Sequence, residues 1–174
     1  MEALSGCSVF AGSALLPGLQ LLLVLAAANV APLAARHWLK QRWDAPIDAG
    51  LRFVDGRPLL GPSKTWRGVG AAVAAAAAAA WVLGIPAGIG ALLGAGAMAG
   101  DALASFTKRR LGLASSSRAP GLDQVPEALL PLLLLHAVAP LPWALVAGVT
   151  AAFALLEAPF ARLWHALGWR EQPY

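Results

Sequence analysis

The chain has 174 residues, of which 59% are hydrophobic and 13% are charged, with a formal net charge of +4. Soluble domains carry roughly 25% charged residues, so this composition argues against a soluble protein. The single cysteine, Cys7, excludes an internal disulfide and any cysteine-ligated metal cluster.

Apolar stretches of about 16 to 22 residues predict five transmembrane helices, because this length crosses a bilayer as a helix. The predicted spans cover residues 13–35, 69–85, 86–106, 125–141 and 143–161. Prolines separate the second span from the third and the fourth from the fifth, where proline commonly ends helices. The expected fold class is an all-α integral membrane protein, a single domain over residues 1–174 with two long loops, 36–68 and 107–124.

The distribution of charge predicts the orientation. All 13 Lys and Arg residues lie in these two loops or after residue 161. By the positive-inside rule, both loops and the C-terminus are cytoplasmic and the N-terminus is outside the cell membrane. Topology alone explains part of this basic face, which also suits anionic lipid or polyphosphate.

Two features of the spans favour close helix packing. In the third span, Gly90 and Gly94 have the GxxxG spacing that lets neighbouring backbones approach. In the first span, Asn29 and Pro32 interrupt the apolar run, and the amide of Asn29 either hydrogen-bonds another helix or reaches a functional site.

The end of the third span is the first candidate for chemistry. Asp101, Ser105 and Lys108 follow i, i+4, i+7 spacing and share a helix face, with Arg109 on its flank. Asp101 is expected near the cytoplasmic boundary, where a carboxylate can hold Mg²⁺ in contact with water. The alternative is a structural ion pair between Asp101 and Lys108.

Asp123 provides a second carboxylate at the start of the fourth span. An Asp before a helix is often an N-cap, which is the alternative here. Its return to the membrane surface beside Asp101 and a basic cluster instead predicts a shared metal site, with cations around it to receive phosphates.

The first long loop contains the segment DGRPLLGPSKTWRG, which combines glycines with Arg and Lys side chains. Glycine backbone amides and such cations are typical of phosphate sites. The segment is not a Walker A loop, because GxxxxGK[ST] is absent. The alternative is a solvated loop whose cations serve topology.

The segments AANVAP, PIDAGLRFVDGRPLLGPSKTWRG and GDALASFTKRRLGL…APGLDQVP together resemble the CDP-archaeol synthase (CarS-like) family, which is related to phosphatidate cytidylyltransferases. The resemblance covers about residues 29–68 and 100–126. It implies an enzyme that transfers CMP from CTP to a membrane lipid phosphate with Mg²⁺, releasing pyrophosphate. The implied partners are CTP, an archaetidic or phosphatidic acid type of lipid and the bilayer, with no nucleic acid.

The resemblance also implies site residues. Asp101 and Asp123 match the metal-binding acids, and Lys64 and Lys108 join them as catalytic residues. The matching substrate-binding positions are Asn29, Asp55, Gly56, Arg57, Thr65, Arg67, Gly68, Ser105, Arg109, Arg110 and Gln124. Leu60 and the stretch ASSSRA depart from the family pattern, which affects the expected nucleotide or lipid preference but removes no metal or phosphate group.

The sequence also allows two other functions. A CDP-alcohol phosphotransferase would use a CDP-lipid, but only the DGR fragment of its acidic pattern is present. A non-catalytic transporter or scaffold would favour internal repeats and a site at the membrane midplane. The sequence has no repeat, and its polar groups cluster at one surface.

Overall fold

A computed structural model describes residues 15–40, 42–114, 117, 119, 121–166 and 168 of the chain. The described part is helical apart from loops and two isolated β-bridges. Its five helices are α1 (Leu15–Leu39), α2 (Trp66–Val82), α3 (Ala87–Arg110), α4 (Gln124–Val138) and α5 (Trp143–Ala166). Loop 1 is the connection 40–65 and loop 2 the connection 111–123, and both lie at the same end of the bundle, called the loop end below.

The predicted all-helical class is confirmed, and the helix limits differ from the predicted spans by a few residues. The predicted first span begins at residue 13, which lies outside the described residues. Helices α1 and α3 are long and apolar enough to cross a membrane, whereas the apolar parts of α2, α4 and α5 are shorter. For α2 and α4 the reason is the length of the whole helix, which is only 17 and 15 residues.

Helix α3 lies at the centre of the bundle and packs against α1, α2 and α4. The packing predicted for Gly90 and Gly94 is confirmed, because a Cβ at Gly94 would lie 2.9 Å from the carbonyl oxygen of Ala72 in α2. A second pair with the same spacing, Gly96 and Gly100, lies against α4. Small residues on two faces therefore allow α3 to contact both neighbours through its backbone.

Local sequence signals explain where α2 begins and ends. Thr65 is the N-cap, and its Oγ1 accepts a hydrogen bond of 3.2 Å from the amide of Gly68. At the other end Gly84 adopts a φ of +76°, and the amide of Ile85 donates to the carbonyl of Ala80 at 2.8 Å. Helices often end at a glycine in this way, because glycine adopts a positive φ without the strain that a side chain would cause. It returns the chain directly into α3.

Candidate active site

Two lysine–carboxylate pairs connect three elements at the loop end of the bundle. Lys64 of loop 1 donates to Asp101 of α3, and Nζ of Lys108 lies 2.6 Å from Oδ1 of Asp123, immediately before α4. Asp101 and Lys108 lie on one face of α3, about 10 Å apart along its axis. The four side chains, called the acid–lysine centre below, are only 10–22% exposed. The structure therefore brings the four predicted catalytic residues into two ion pairs on one face of α3.

Asp123 does not act as the helix cap that its position suggests. Its backbone is in the helical region and its side chain caps no α4 amide. Instead, Oδ2 accepts a hydrogen bond from the amide of Ala119 at 2.9 Å, while Oδ1 contacts Lys108. The neighbouring Gln124 is buried, and its Oε1 accepts from the amide of Gly121 at 2.6 Å. Loop 2 thus orients the carboxylate towards α3.

The structural alternative considered for Asp101, a pair with Lys108, is wrong in its choice of partner. The side chain of Lys108 reaches Asp123 and the carbonyl of Ser117, at 3.2 Å, and Asp101 pairs with loop 1 instead. Ser105, one turn beyond Asp101, is 4% exposed. The helix face predicted from the i, i+4, i+7 spacing is present, but its charged groups bind partners on other elements.

Arg109 is buried beside this face. Its Nη2 donates to the carbonyl of Ala114 in loop 2 at 2.7 Å. Within the part of the chain that the structure describes, Nε of Arg109 has no hydrogen-bond partner. A buried guanidinium with one unused donor is an uncommon arrangement, because unsatisfied polar groups cost free energy. Arg109 therefore retains capacity for an acceptor near the acid–lysine centre.

A tight hairpin in loop 1, residues 51–59, holds the C-terminal end of α3, and this contact is called the hairpin clasp below. Arg57 inserts its Nη1 against the last carbonyls of α3, at 2.6 Å from Arg110 O and 3.3 Å from Arg109 O. A guanidinium at a helix C-terminus satisfies free carbonyls and complements the helix dipole. Gly56 adopts a φ of +75° at the hairpin turn. Arg57 and Gly56 thus dock loop 1 onto α3.

Arg110 completes the hairpin clasp from the α3 side. Its guanidinium lies 4.7 Å from the ring centre of Phe53 and 5.0 Å from that of Phe106, and the two rings meet edge to face. It also pairs with Asp55 at 2.9 Å and donates to the carbonyl of Pro58 at 2.6 Å. Its Nε has no partner among the described residues. Three predicted substrate-binding residues, Asp55, Arg57 and Arg110, therefore bind one another and the backbone.

Asp48 organises the rest of loop 1. No role was predicted for this residue from the sequence. It is 5% exposed, and its two oxygens accept hydrogen bonds from the amides of Gly50, Leu60 and Gly61. Burial alone would raise the pKa of this carboxyl, but the backbone hydrogen bonds outweigh burial and lower the pKa below its ordinary 3.8. The D-A-G triplet, typical of a turn built on an Asp side chain, was the available signal.

The remaining predicted residues lie where α1 meets the start of α2. Arg67 donates to the carbonyls of Lys40 and Arg42 at 2.8 and 2.7 Å and pairs with Asp44 at 2.7 Å. A Cβ at Gly68 would lie 3.5 Å from Pro32 of α1, so this glycine is in ordinary contact distance of α1. The amide of Asn29 donates to the carbonyl of Leu25 within α1 itself, at 3.1 Å. The hydrogen bond of Asn29 thus stays inside its own helix.

The donor set of the acid–lysine centre fits a magnesium ion. Mg²⁺ binds through one or two carboxylates and completes its shell with water and substrate phosphates. Asp101 and Asp123 are two such half-buried carboxylates. No larger cluster of three acidic, His or Cys side chains occurs in the described ranges. Each carboxylate contacts a lysine ammonium, so a divalent cation and these lysines compete for the same oxygens.

Comparison with known proteins places the chain in a family. The model of the CarS-like family, described as CDP-archaeol synthase, matches residues 42–88 and 82–171. The chain belongs to the CarS-like family. This confirms the resemblance carried by the loop 1 and α3 motifs.

Curated relatives of this CarS-like chain are named CDP-archaeol synthase. The chain is 34% identical over 146 residues to the protein of Thermococcus onnurineus, covering 74% of this chain and 82% of that one. It is 43% identical over 111 residues to the protein of Hyperthermus butylicus, covering 57% of this chain and 60% of that one. With the Methanopyrus kandleri protein the identity is 44%, and the match spans 64% of that relative's length.

A solved structure supports the fold of the CarS-like chain. It is described as an intramembrane enzyme for archaeal membrane lipid biosynthesis. The TM-score is 0.71 at 33% identity, covering 80% of this chain and 89% of that one. Together with the two long apolar helices, this likeness identifies the chain as a membrane protein.

Proposed function

We propose that this chain is a CTP-dependent cytidylyltransferase that transfers CMP to a membrane lipid phosphate, giving a CDP-lipid of the CDP-archaeol type and pyrophosphate. The observation that carries the proposal is the acid–lysine centre, which presents two carboxylates and two ammonium groups at the loop end of α3. Such a set provides ligands for a metal–nucleotide complex and cations for phosphate oxygens. Membership of a family described as CDP-archaeol synthase supports the same reaction.

In the proposed reaction, an oxygen of the lipid phosphate attacks the α-phosphorus of CTP. A phosphorus–oxygen bond forms there, the bond between the α- and β-phosphates breaks, and pyrophosphate leaves. The attacking phosphate has already lost its first proton at neutral pH, so no dedicated general base is required. Catalysis then depends on positioning and charge neutralisation.

The residues of this chain have distinct proposed roles. Asp101 and Asp123 hold Mg²⁺, which when bound neutralises charge on the triphosphate. Lys64 and Lys108, released from the carboxylates, bind phosphate oxygens. Arg109, which is buried and whose Nε has no partner among the described residues, adds a third cation, and Ser105 lies on the same face of α3 as Asp101. The residues of the hairpin clasp, by contrast, act by holding the end of α3 in place.

The proposed membrane arrangement has five spans, with the N-terminus outside and the loop end in the cytoplasm. Its support is the position of the cations, since loops 1 and 2 are both at the loop end and the described cations, apart from Arg162 in α5, lie in or next to them. A site at the cytoplasmic boundary of the membrane is accessible to CTP from water and to a lipid whose tails stay in the bilayer.

The test is CTP-dependent pyrophosphate release by the purified protein in detergent with Mg²⁺. An isoprenoid ether lipid phosphate and a diacyl phosphatidic acid serve as alternative acceptors, and CDP-lipid formation is measured in parallel. We expect release with the ether lipid. A CDP-lipid supplied with an alcohol tests the phosphotransferase alternative. Absence of pyrophosphate release with every lipid phosphate contradicts the proposal.

A further inference from the structure

A cleft of about 390 Å³ lies where α1, the beginning of loop 1 and the first turn of α2 meet. Pro32 and Arg36 of α1 form one wall, and Ser63, Thr65 and Arg67 form another. The cleft is separate from the hairpin clasp, whose residues do not line it.

The cleft lies at the level expected for lipid head groups. Arg36 is in the last turn of α1, one of the two helices long and apolar enough to span a membrane. Trp38, two residues after Arg36, and Trp66, between Thr65 and Arg67, are 71% and 62% exposed. Exposed tryptophans beside the end of a membrane helix are typical of the interface between hydrocarbon and head groups.

The lining of the cleft suits a phosphate anion. Arg36, Arg67 and Asp44 line it, and Asp44 is paired with Arg67 at 2.7 Å, so the charged groups of the lining sum to a net positive charge. The hydroxyl of Thr65 accepts from Gly68, and its proton stays available for donation to a phosphate oxygen. Ser63 adds a second, exposed hydroxyl. Cationic and hydroxyl donors together are the usual environment of a phosphate group.

The cleft is also next to the acid–lysine centre. Ser63 and Thr65 line the cleft, and Lys64 between them donates to Asp101. One three-residue segment of loop 1 therefore contributes to both places. The residues that would contact a phosphate in the cleft are therefore the immediate sequence neighbours of Lys64, the lysine of one proposed catalytic pair.

We propose that this cleft binds the phosphomonoester head group of the lipid substrate while its tails remain in the bilayer beside α1. The inference rests on the proposed cytidylyltransferase function and adds the position of the acceptor. Arg36 and Ser63, which the family resemblance did not indicate, then contribute to lipid binding. The occupant is a lipid phosphate and not free phosphate, because the wall formed by α1 is part of a membrane helix.

The kinetic test replaces Arg36 by glutamine. Loss of one charge-assisted contact corresponds to about a tenfold rise in the KM for lipid phosphate, with the KM for CTP unchanged within about twofold. Arg42→Gln is the matched control, because Arg42 is an exposed cation nearby that does not line the cleft.

Ser63→Ala is a milder change in a loop and is expected to raise the KM for lipid phosphate about threefold. It replaces Arg36→Gln as the test if that variant does not fold. Equal effects of Arg36→Gln and Arg42→Gln, or none in Arg36→Gln and Ser63→Ala, overturn the inference.

A binding test separates this inference from the proposed reaction. Calorimetric titration of the detergent-solubilised protein with short-chain phosphatidic acid should show binding that Arg36→Gln weakens about tenfold. Inorganic phosphate at the same concentrations should not bind; equal binding of inorganic phosphate would make this a free-phosphate site and overturn the lipid assignment. If the protein binds the lipid in this way but releases no pyrophosphate from CTP, the proposed function fails and the lipid site stands.

Discussion

The acid–lysine centre and the hairpin clasp both hold the loop end of α3, and both are built from acidic and basic motif residues. In the hairpin clasp, Arg57 and Arg110 donate to backbone carbonyls, and two phenylalanine rings flank Arg110. In the acid–lysine centre, each ammonium group contacts a carboxylate side chain. A backbone carbonyl of a folded helix cannot move away, whereas a lysine side chain can exchange its partner for a phosphate or yield its place to a cation.

This difference indicates which motif residues hold structure and which are available for chemistry. Guanidinium groups bound to carbonyls in a fixed planar geometry are suited to docking a loop. Flexible ammonium groups paired with half-buried carboxylates are suited to a site whose charges rearrange when substrate binds. The comparison leads to four tests.

The largest expected effect is that of Asp101→Asn. Removal of a charge that, in the proposed reaction, holds the metal–nucleotide complex should lower kcat for pyrophosphate release by about 100-fold or more. Asp55→Asn, the matching change in the hairpin clasp, should lower kcat by only about threefold. Asp55 belongs to a partly exposed ion pair with Arg110, and such pairs contribute little free energy. Steady-state kinetics of both variants measure the contrast. Equal losses would remove the distinction between the two regions.

The next effect concerns the close contact beneath the acid–lysine centre. A Cβ at Gly100 would overlap the carbonyl of Pro126 in α4, and backbone on both sides leaves no simple relief. Gly100→Ala should therefore lower the free energy of unfolding by about 1–3 kcal/mol. It should also reduce activity, because Asp101 and Asp123 lie beside the two clashing positions.

Gly88→Ala is the matched control for this test, since a Cβ there meets no atom within 4 Å. The alanine should stabilise α3 slightly, by up to about 1 kcal/mol, through its better helix propensity. Thermal unfolding in detergent, followed by tryptophan fluorescence, compares the two variants. Similar melting temperatures would show that α3 and α4 do not approach so closely.

A smaller effect is expected from Arg57→Ala in the hairpin clasp. The variant loses the donor to two carbonyls at the C-terminal end of α3, at a cost of about 1–2 kcal/mol in stability. Arg57→Lys should recover part of this loss, because a cation there still complements the helix dipole. A rise in the KM for CTP of more than tenfold, without a change in melting temperature, would instead make Arg57 a substrate ligand.

The smallest effect is a pH dependence caused by Asp48 in loop 1. Its pKa is lowered in the folded chain, so its stabilising contribution is complete above the ordinary value of 3.8. The contribution is lost as the pH falls through the lower pKa of the folded state. Asp48→Asn should lose about 1 kcal/mol at neutral pH and flatten the decline of melting temperature below about pH 3.8. An unchanged decline in this variant would exclude Asp48 as its origin.

Local signals in the sequence predicted much of the fold. Hydrophobic stretches and prolines predicted the helices, because helix formation and termination depend on neighbouring residues. The spacing of Gly90 and Gly94 predicted one packing face of α3, and the structure confirms it. The same spacing at Gly96 and Gly100 was visible too, but nothing in the sequence indicated that α4 would lie against it.

The sequence by itself determined the apolar helices, the concentration of charge in the loops and, through its motifs, the family. Only the tertiary structure decided which charged groups meet: Lys64 with Asp101, Lys108 with Asp123, and Arg57 and Arg110 with the end of α3. The physical reason is the length and flexibility of lysine and arginine side chains. Their partners are chosen by distances between elements far apart in the chain, and no local pattern encodes those distances.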